Sequence, residues 1–202
     1  MCNLYRLDAP SNQIATVFDA DAGADPWAGD HVAPGRFAPV IVSGPNGRCR
    51  IVPRQWGVPP PAKAAVDGRS RPVTNVRNLE SPFWVGTLRH PELRCLVPVT
   101  SFMEWGGTKG DRWQHWFSVP SEPVFAFAGI FRDSEVASYA FLTCEPNALV
   151  GAVNPKAMPL ILAPEDHHTW LTAPWPDAAR LLAPFPSQLM ISAVRQASGG
   201  AV

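Results

Sequence analysis

The chain has 202 residues, 46% of them hydrophobic, and carries no net charge. This is enough chain for one hydrophobic core, and the composition is that of an ordinary globular domain. No apolar stretch approaches the ~20 residues that cross a bilayer, and the start lacks the basic and apolar regions of a signal peptide. We therefore expect a cytoplasmic protein that does not contact a membrane.

The first half of the chain predicts one short helix and two strands. The helix covers residues 11–20, where Ser11 precedes Ile14, Val17 and Phe18 at helical spacing. Residues 21–36 predict a loop. The apolar runs 40–42 and 50–52 predict strands around a turn at 44–47, and the Pro- and Gly-rich residues 56–71 predict irregular chain.

The second half predicts mostly strands. They cover residues 95–99, 113–119, 124–131, 139–144 and 189–194, and residues 101–105 either continue the first of these or turn beyond it. A short apolar run lies at 160–162, and helices are predicted at 164–171 and 177–182. The 23 prolines, against about 10 at average usage, favour many short elements. The fold class is therefore predicted as α+β: a β-rich single domain over residues 1–194, with a curved, partly closed barrel-like sheet and a few peripheral helices. Residues 195–202 are expected to form a short flexible tail.

The four cysteines are widely spaced and form no CxxC pair: Cys2, Cys49, Cys95 and Cys144. This spacing argues against a structural zinc site, and in a cytoplasmic protein the thiols are expected to be reduced. No metal or other cofactor is predicted.

Positive charge is concentrated between residues 48 and 77. Seven basic residues against the single acid Asp67 leave this segment with a charge of +6: Arg48, Arg50, Arg54, Lys63, Arg69, Arg71 and Arg77. Such a segment is compatible with a groove that binds phosphates, and also with a solvated loop. Within it, Trp56 and the prolines up to Pro61 form a candidate platform for stacking bases.

Cys2 directly follows the initiator methionine. A small second residue favours removal of Met1, which would leave an α-amine and a thiol on one residue. An aldehyde condenses with such an amine to an imine, and the thiol then closes a thiazolidine ring. The alternative is an ordinary N-terminal cysteine that packs as a small apolar side chain.

Three further segments contain candidate site residues, and each also has an ordinary explanation. Asn75 lies among polar residues at 72–78, and it can simply stabilise a turn. Glu104 lies between aromatic and sulfur side chains, where burial would raise its pKa, or it can pair with an arginine. The third segment, 145–159, ends in Met158-Pro159, which can terminate a loop.

Taken in order, these motifs resemble the SOS response-associated peptidase (SRAP) family, the abasic-site processing proteins. The resemblance extends to about residue 194 and rests on Met1-Cys2-Asn3-Leu4-Tyr5, Trp56-Gly57, Thr74-Asn75-Val76-Arg77-Asn78, Arg94-Cys95-Leu96-Val97-Pro98, Phe102-Met103-Glu104-Trp105, Glu145-Pro146-Asn147 and Pro155-Lys156-Ala157-Met158-Pro159.

The resemblance implies a DNA-damage-response enzyme that acts on abasic sites in single-stranded DNA. Cys2 would form a thiazolidine crosslink with the ring-opened sugar, and autocatalytic exposure of Cys2 and a lyase activity are also implied. Asn75 would hydrogen-bond near the adduct, Glu104 would transfer protons, and Arg77 would hold a phosphate. Arg54, Arg71 and Trp56 are further candidate DNA contacts. A monomer is expected.

The sequence departs from the family at Asn154, where a histidine usually precedes Pro-Lys-Ala-Met-Pro. An asparagine hydrogen-bonds but carries no proton at neutral pH. The five histidines stand elsewhere and are interpreted as structural or solvent-facing: His31, His90, His115, His167 and His168. Two alternatives therefore stay open. One is a peptidase or amidase with an N-terminal nucleophile, and the other is a single-stranded DNA-binding protein with weakened chemistry at Asn154.

Overall fold

The computed structural model describes residues 2–24, 27–45, 47–61, 71–108 and 111–196. Short strands dominate this part of the chain: β1 Tyr5–Leu7, β2 Ala20–Asp21, β3 Asp30–Val32, β4 Phe37–Ser43, β5 Cys49–Trp56, β6 Asn75–Val76, β7 Arg94–Val99, β8 Ser101–Thr108, β9 Asp111–Ser118, β10 Phe125–Asp133, β11 Ala137–Cys144, β12 Met158–Pro159, β13 Ile161–Leu162 and β14 Ile191–Gln196.

The helices are short and lie between these strands: α1 Ser11–Val17, α2 Val85–Arg89, α3 Ala148–Gly151, α4 His167–Thr172 and α5 Trp175–Ala178. Single 3₁₀ turns cover Pro91–Leu93, Pro164–Asp166, Ala179–Leu181 and Ser187–Leu189. No helix in the described part of the chain is long and apolar enough to cross a membrane. All four cysteines are free thiols.

Five strands close into a barrel in the order β7–β4–β5–β11–β10 and back to β7. Four of the pairings are antiparallel, and the parallel one joins β5 to β11, with Tyr139 opposite Trp56. The interior is aromatic, and Trp56, Phe127 and Phe141 are completely buried. The predicted β-rich α+β domain with a barrel-like sheet is thus confirmed.

A second sheet, in the order β14–β9–β8–β1–β3, carries the N-terminal strand in its interior. β1 pairs antiparallel with β3 on one side and with β8 on the other. Tyr5 of β1 reaches into the barrel core, where its ring lies 5.3 Å from that of Trp56 and its hydroxyl hydrogen-bonds that of Tyr139. β1 therefore fixes the start of the chain against both sheets.

Several predicted boundaries differ from the observed ones. α1 begins at Ser11, so the residue that precedes the helix is Pro10 and not the predicted Ser11. The predicted loop 21–36 contains β3, because pairing with β1 supplies hydrogen-bond partners that local pattern does not reveal. β14 continues to Gln196, two residues past the predicted end of the domain, and residues 197–202 lie outside the described chain.

Candidate active site

Cys2 lies three residues before the first residue of β1 and is 1% exposed. The carbonyl of Leu4 accepts a hydrogen bond from the amide of Met103 at 3.0 Å and one from the Cys2 thiol at 3.4 Å. The contact between the N-terminal segment and β8 continues in the antiparallel pairing of β1 with β8, where Tyr5 lies opposite Phe102. The N-terminal residue is therefore held beside β8, the strand that carries Glu104.

Glu104 is a buried carboxylic acid, 5% exposed, in the middle of β8. Burial raises its pKa, and a hydrogen bond from Asn154 partly opposes this rise. Burial, reinforced by the charge of Glu104, also raises the pKa of the Cys2 thiol. Cys2 is therefore a neutral thiol at rest, and it needs a base to become a nucleophile.

Asn75 contacts the main chain of Cys2. Its Nδ2 donates to the Cys2 carbonyl at 3.2 Å and to Oγ1 of Thr74 at 2.8 Å. Asn75 belongs to β6, which pairs in parallel with β11 of the barrel. The barrel thus positions the residue that fixes the orientation of Cys2.

Asn154 joins this cluster from the loop after α3 and is 8% exposed. Its Nδ2 donates to the carbonyl of Ala157 at 3.1 Å, and its Oδ1 accepts from the amide of Lys156 at 3.2 Å. The side chain therefore holds its own loop as well as hydrogen-bonding Glu104.

One further side chain, His115, lies on the same face as Glu104. The two residues are directly opposite each other in the antiparallel pair β8–β9. Opposite residues in such a pair project to the same side of the sheet. Sequence analysis predicted the strand but not its register, so His115 was interpreted as structural or solvent-facing.

The cluster brings together a thiol, a protonatable carboxyl group and two amides. Such a set can activate a nucleophile, orient it and transfer protons to and from a bound carbonyl compound. The sequence-predicted residues Cys2, Asn75, Glu104 and Asn154 all meet here, although the segments that carry them are far apart along the chain.

Known proteins show which family has this sequence and fold. The profile of the family described as SOS response associated peptidase (SRAP) matches residues 1–199. The chain belongs to the SRAP family. A comparison with curated proteins gives no significant match.

Three solved structures share the fold described above. A protein from Bacteroides thetaiotaomicron is 22% identical, with a TM-score of 0.79 over 96% of this chain and 91% of its own. A protein from Bordetella bronchiseptica is 19% identical, with a TM-score of 0.80 over 96% and 99%. A phage-related protein from the same organism is 20% identical, with a TM-score of 0.73 over 97% and 94%. These similarities establish the fold alone.

Trp56 is misassigned as a base-stacking residue, because it is completely buried in this SRAP domain. Its ring stacks on Phe141 at a centroid distance of 5.2 Å, and its Nε1 donates to the carbonyl of Thr74 at 3.0 Å. Trp56 therefore supports the segment that carries Asn75 and is not available to a base.

The basic residues of the +6 segment do not share one environment. Arg54 pairs with Asp133, with Nε 2.8 Å from Oδ1, and its guanidinium lies over Phe131. Arg48 lines a cavity beside α1 and α4. Arg71 and Arg77 are exposed, whereas Lys63, Asp67 and Arg69 lie outside the described residues. A groove formed by the whole segment is therefore not supported, and the roles of Arg71 and Arg77 stay predictions.

Proposed function

We propose that this SRAP protein links Cys2 covalently to the aldehyde of an abasic site in single-stranded DNA, once Met1 has been removed. The observation that carries the proposal is the buried thiol of Cys2 beside Glu104, with the Cys2 carbonyl held by Asn75. An amine and a thiol on one oriented residue are the groups that a thiazolidine requires. The crosslink would shield the lesion during a DNA-damage response.

The reaction consumes no outside reagent. The α-amine of Cys2 adds to the aldehyde carbon, and the resulting carbinolamine loses its hydroxyl group as water to give the imine. The thiol sulfur then bonds to the same carbon, while its proton is lost and the nitrogen gains one. Because burial raises the pKa of Glu104, this carboxyl group keeps its proton to higher pH and can donate it to the departing hydroxyl.

The DNA strand is expected to approach from the side of Arg77. This exposed residue directly follows β6, the strand that carries Asn75. A planar guanidinium matches the geometry of a phosphate, so Arg77 is suited to hold the phosphate next to the lesion.

Intact mass spectrometry tests the proposal. The purified protein is incubated with a single-stranded oligonucleotide that contains one abasic site, and it is measured before and after incubation. We expect a heat-stable product whose mass is the sum of protein and oligonucleotide less one water. Cys2→Ala and Cys2→Ser should abolish it, whereas Cys49→Ser, at a half-buried thiol outside the cluster, should keep it.

Absence of the product with the wild-type protein, or its survival in Cys2→Ala, would contradict the proposal. Steady consumption of a peptide or amide without a DNA adduct would instead support the peptidase that the family description names. Reversible, salt-sensitive DNA binding without either product would support a binding protein. Autocatalytic peptidase and lyase activities belong to this same proposed site and are measured on the same variants.

A further inference from the structure

The register of β8 and β9 places one histidine on the face of the sheet that carries Glu104. Glu104 lies opposite His115, and the neighbouring pair on the same face is Phe102 with Phe117, whose rings stack at 5.2 Å. Cβ atoms of directly opposite residues are about 4.5–5.5 Å apart. The imidazole of His115 therefore projects from the same face as the carboxyl group of Glu104, and it is half-buried.

A glycine makes room for this imidazole. A Cβ atom at Gly106, two residues after Glu104, would lie 2.6 Å from Nε2 of His115. The same Cβ position is 3.3 Å from Cγ1 of Val153, the residue before Asn154. The ring of His115 thus lies over bare backbone, where β8 meets the loop that carries Asn154.

The proposed crosslinking needs two opposite proton transfers. The departing hydroxyl must gain a proton, and the Cys2 thiol must lose one. A protonated Glu104 serves the first step, and a second group that accepts the thiol proton and returns it to the nitrogen would divide the two transfers between two residues. The amide of Asn154 exchanges no proton at neutral pH, whereas an imidazole does so between pH 5 and 8.

We propose that His115 is the second proton-transfer residue of the Cys2 site. As the thiol sulfur bonds to the imine carbon, neutral His115 accepts the thiol proton, directly or through one water. The electron pair of the C=N bond moves to the nitrogen, which takes a proton back from the imidazolium. The step is balanced and returns His115 to its neutral form. This inference rests on the proposed crosslinking function.

The charged surroundings of His115 are simple. On β8, Glu104 is the ionisable side chain on its face, and on β14 it faces the apolar Val194. In the adjoining loop the nearest ionisable residue in sequence to Val153 is the exposed Lys156. His115 therefore has one ionisable neighbour across the strand pair, the carboxyl group of Glu104 with which it would share the proton transfers.

Single-turnover crosslinking over pH 5–9 tests the inference with His115→Gln and His115→Ala. We expect both variants to crosslink at least 10-fold more slowly at pH 7.5 and to bind the oligonucleotide normally. Added imidazole should restore part of the rate in His115→Ala. His31→Gln is the matched control, because His31 packs on Trp116, whose side chain alternates to the other face of β9.

The outcomes separate the two proposals. Failure of the wild-type protein to crosslink overturns the proposed function itself. Normal wild-type crosslinking together with an unchanged rate in His115→Gln overturns the role of His115 alone. A slower His115→Ala that imidazole does not restore, and that unfolds at lower temperature, also overturns it, because His115 would then act only in packing.

Discussion

The side-chain amide of Asn75 donates to the main-chain carbonyl of Cys2 across 3.2 Å, although 73 residues separate the two along the chain. This hydrogen bond links the barrel, through the pairing of β6 with β11, to the residue that precedes β1. The barrel therefore contacts the candidate nucleophile through its backbone and not through its thiol.

Asn75→Ala should slow crosslinking without abolishing it. A typical intramolecular hydrogen bond contributes about 0.5–1.5 kcal/mol, which corresponds to a roughly 2- to 12-fold slower reaction. Single-turnover rates with a saturating abasic oligonucleotide provide the measurement, and Asn78→Ala, at an exposed residue of the same segment, is the control. Equal rates in Asn75→Ala and the wild-type protein would show that this hydrogen bond does not orient Cys2 for reaction.

Glu104→Gln should slow crosslinking by about 10²- to 10⁴-fold, because general acid–base catalysis typically contributes that much. Glutamine keeps the size and the hydrogen-bonding oxygen but cannot donate an acidic proton. Oligonucleotide affinity, measured separately with an intact strand, should stay the same. A variant that reacts as fast as the wild-type protein would return Glu104 to a purely structural role.

The same substitution should stabilise the protein at high pH. The pKa of Glu104 is raised in the folded state by burial, so the stability that its protonated form contributes is complete below the unfolded value of about 4.3. It is lost as pH rises through the folded pKa. The melting temperature of Glu104→Gln, relative to that of the wild-type protein, should therefore rise between pH 4 and pH 8.

The exposed Glu80→Gln variant serves as the reference for that comparison. Its melting temperature should follow that of the wild-type protein across the same pH range. A gap between Glu104→Gln and the wild-type protein that stays constant with pH would contradict the burial argument.

Asn154→His should speed release of the DNA. A histidine here adds a group that gives and takes a proton near neutrality, and proton transfer to the ring nitrogen or sulfur is needed to reopen a thiazolidine. Preformed crosslink is mixed with excess competing abasic oligonucleotide, and strand exchange is followed. Asn154→Gln is the control, because it keeps a side-chain amide and adds no group that gives or takes a proton near neutrality. Indistinguishable exchange in the three proteins would show that position 154 acts only through its contacts with Ala157 and Lys156.

Arg77→Ala should weaken binding to single-stranded DNA and reduce the slope of log affinity against log salt by about 0.7, the share of one phosphate contact. Arg54→Ala should leave that slope unchanged, because Arg54 already pairs with Asp133. Titrations at several salt concentrations with single-stranded and duplex oligonucleotides provide both slopes. Salt-independent binding, or equal affinity for intact duplex, would argue against a phosphate contact at Arg77.

The local pattern of apolar and polar residues was sufficient to predict most strands, but it did not predict which strands pair with each other. Alternation of apolar and polar residues predicted the strands that contain Phe117 and Phe127. The parallel pairing of β5 with β11 closes the barrel between segments about 80 residues apart, and no local signal specifies it. The loop prediction for 21–36 missed β3 for the same reason, since a three-residue strand exists through its partner.

The candidate site was predictable where chemistry depends on residue type and order, as for Cys2, Asn75 and Glu104. It was not predictable where function depends on register. His115 shares a face with Glu104 only in the observed pairing, and a shift of one residue would turn it away. Trp56 was wrongly assigned to DNA binding. A tryptophan can pack in a core or stack on a nucleotide base, and only its burial in the structure distinguishes the two roles.

The interior position of β1 has a consequence for biosynthesis. β1 is among the first segments to leave the ribosome, but β8, its neighbour in the sheet, is translated only from Ser101 onward. Until then the amino-terminal end is accessible to the aminopeptidase that trims nascent chains. Once the sheet forms, Cys2 is enclosed. If an aminopeptidase carries out the proposed removal of Met1, it is therefore expected to act during translation, and an amino-terminal affinity tag would both mask the amine and compete with the closing sheet.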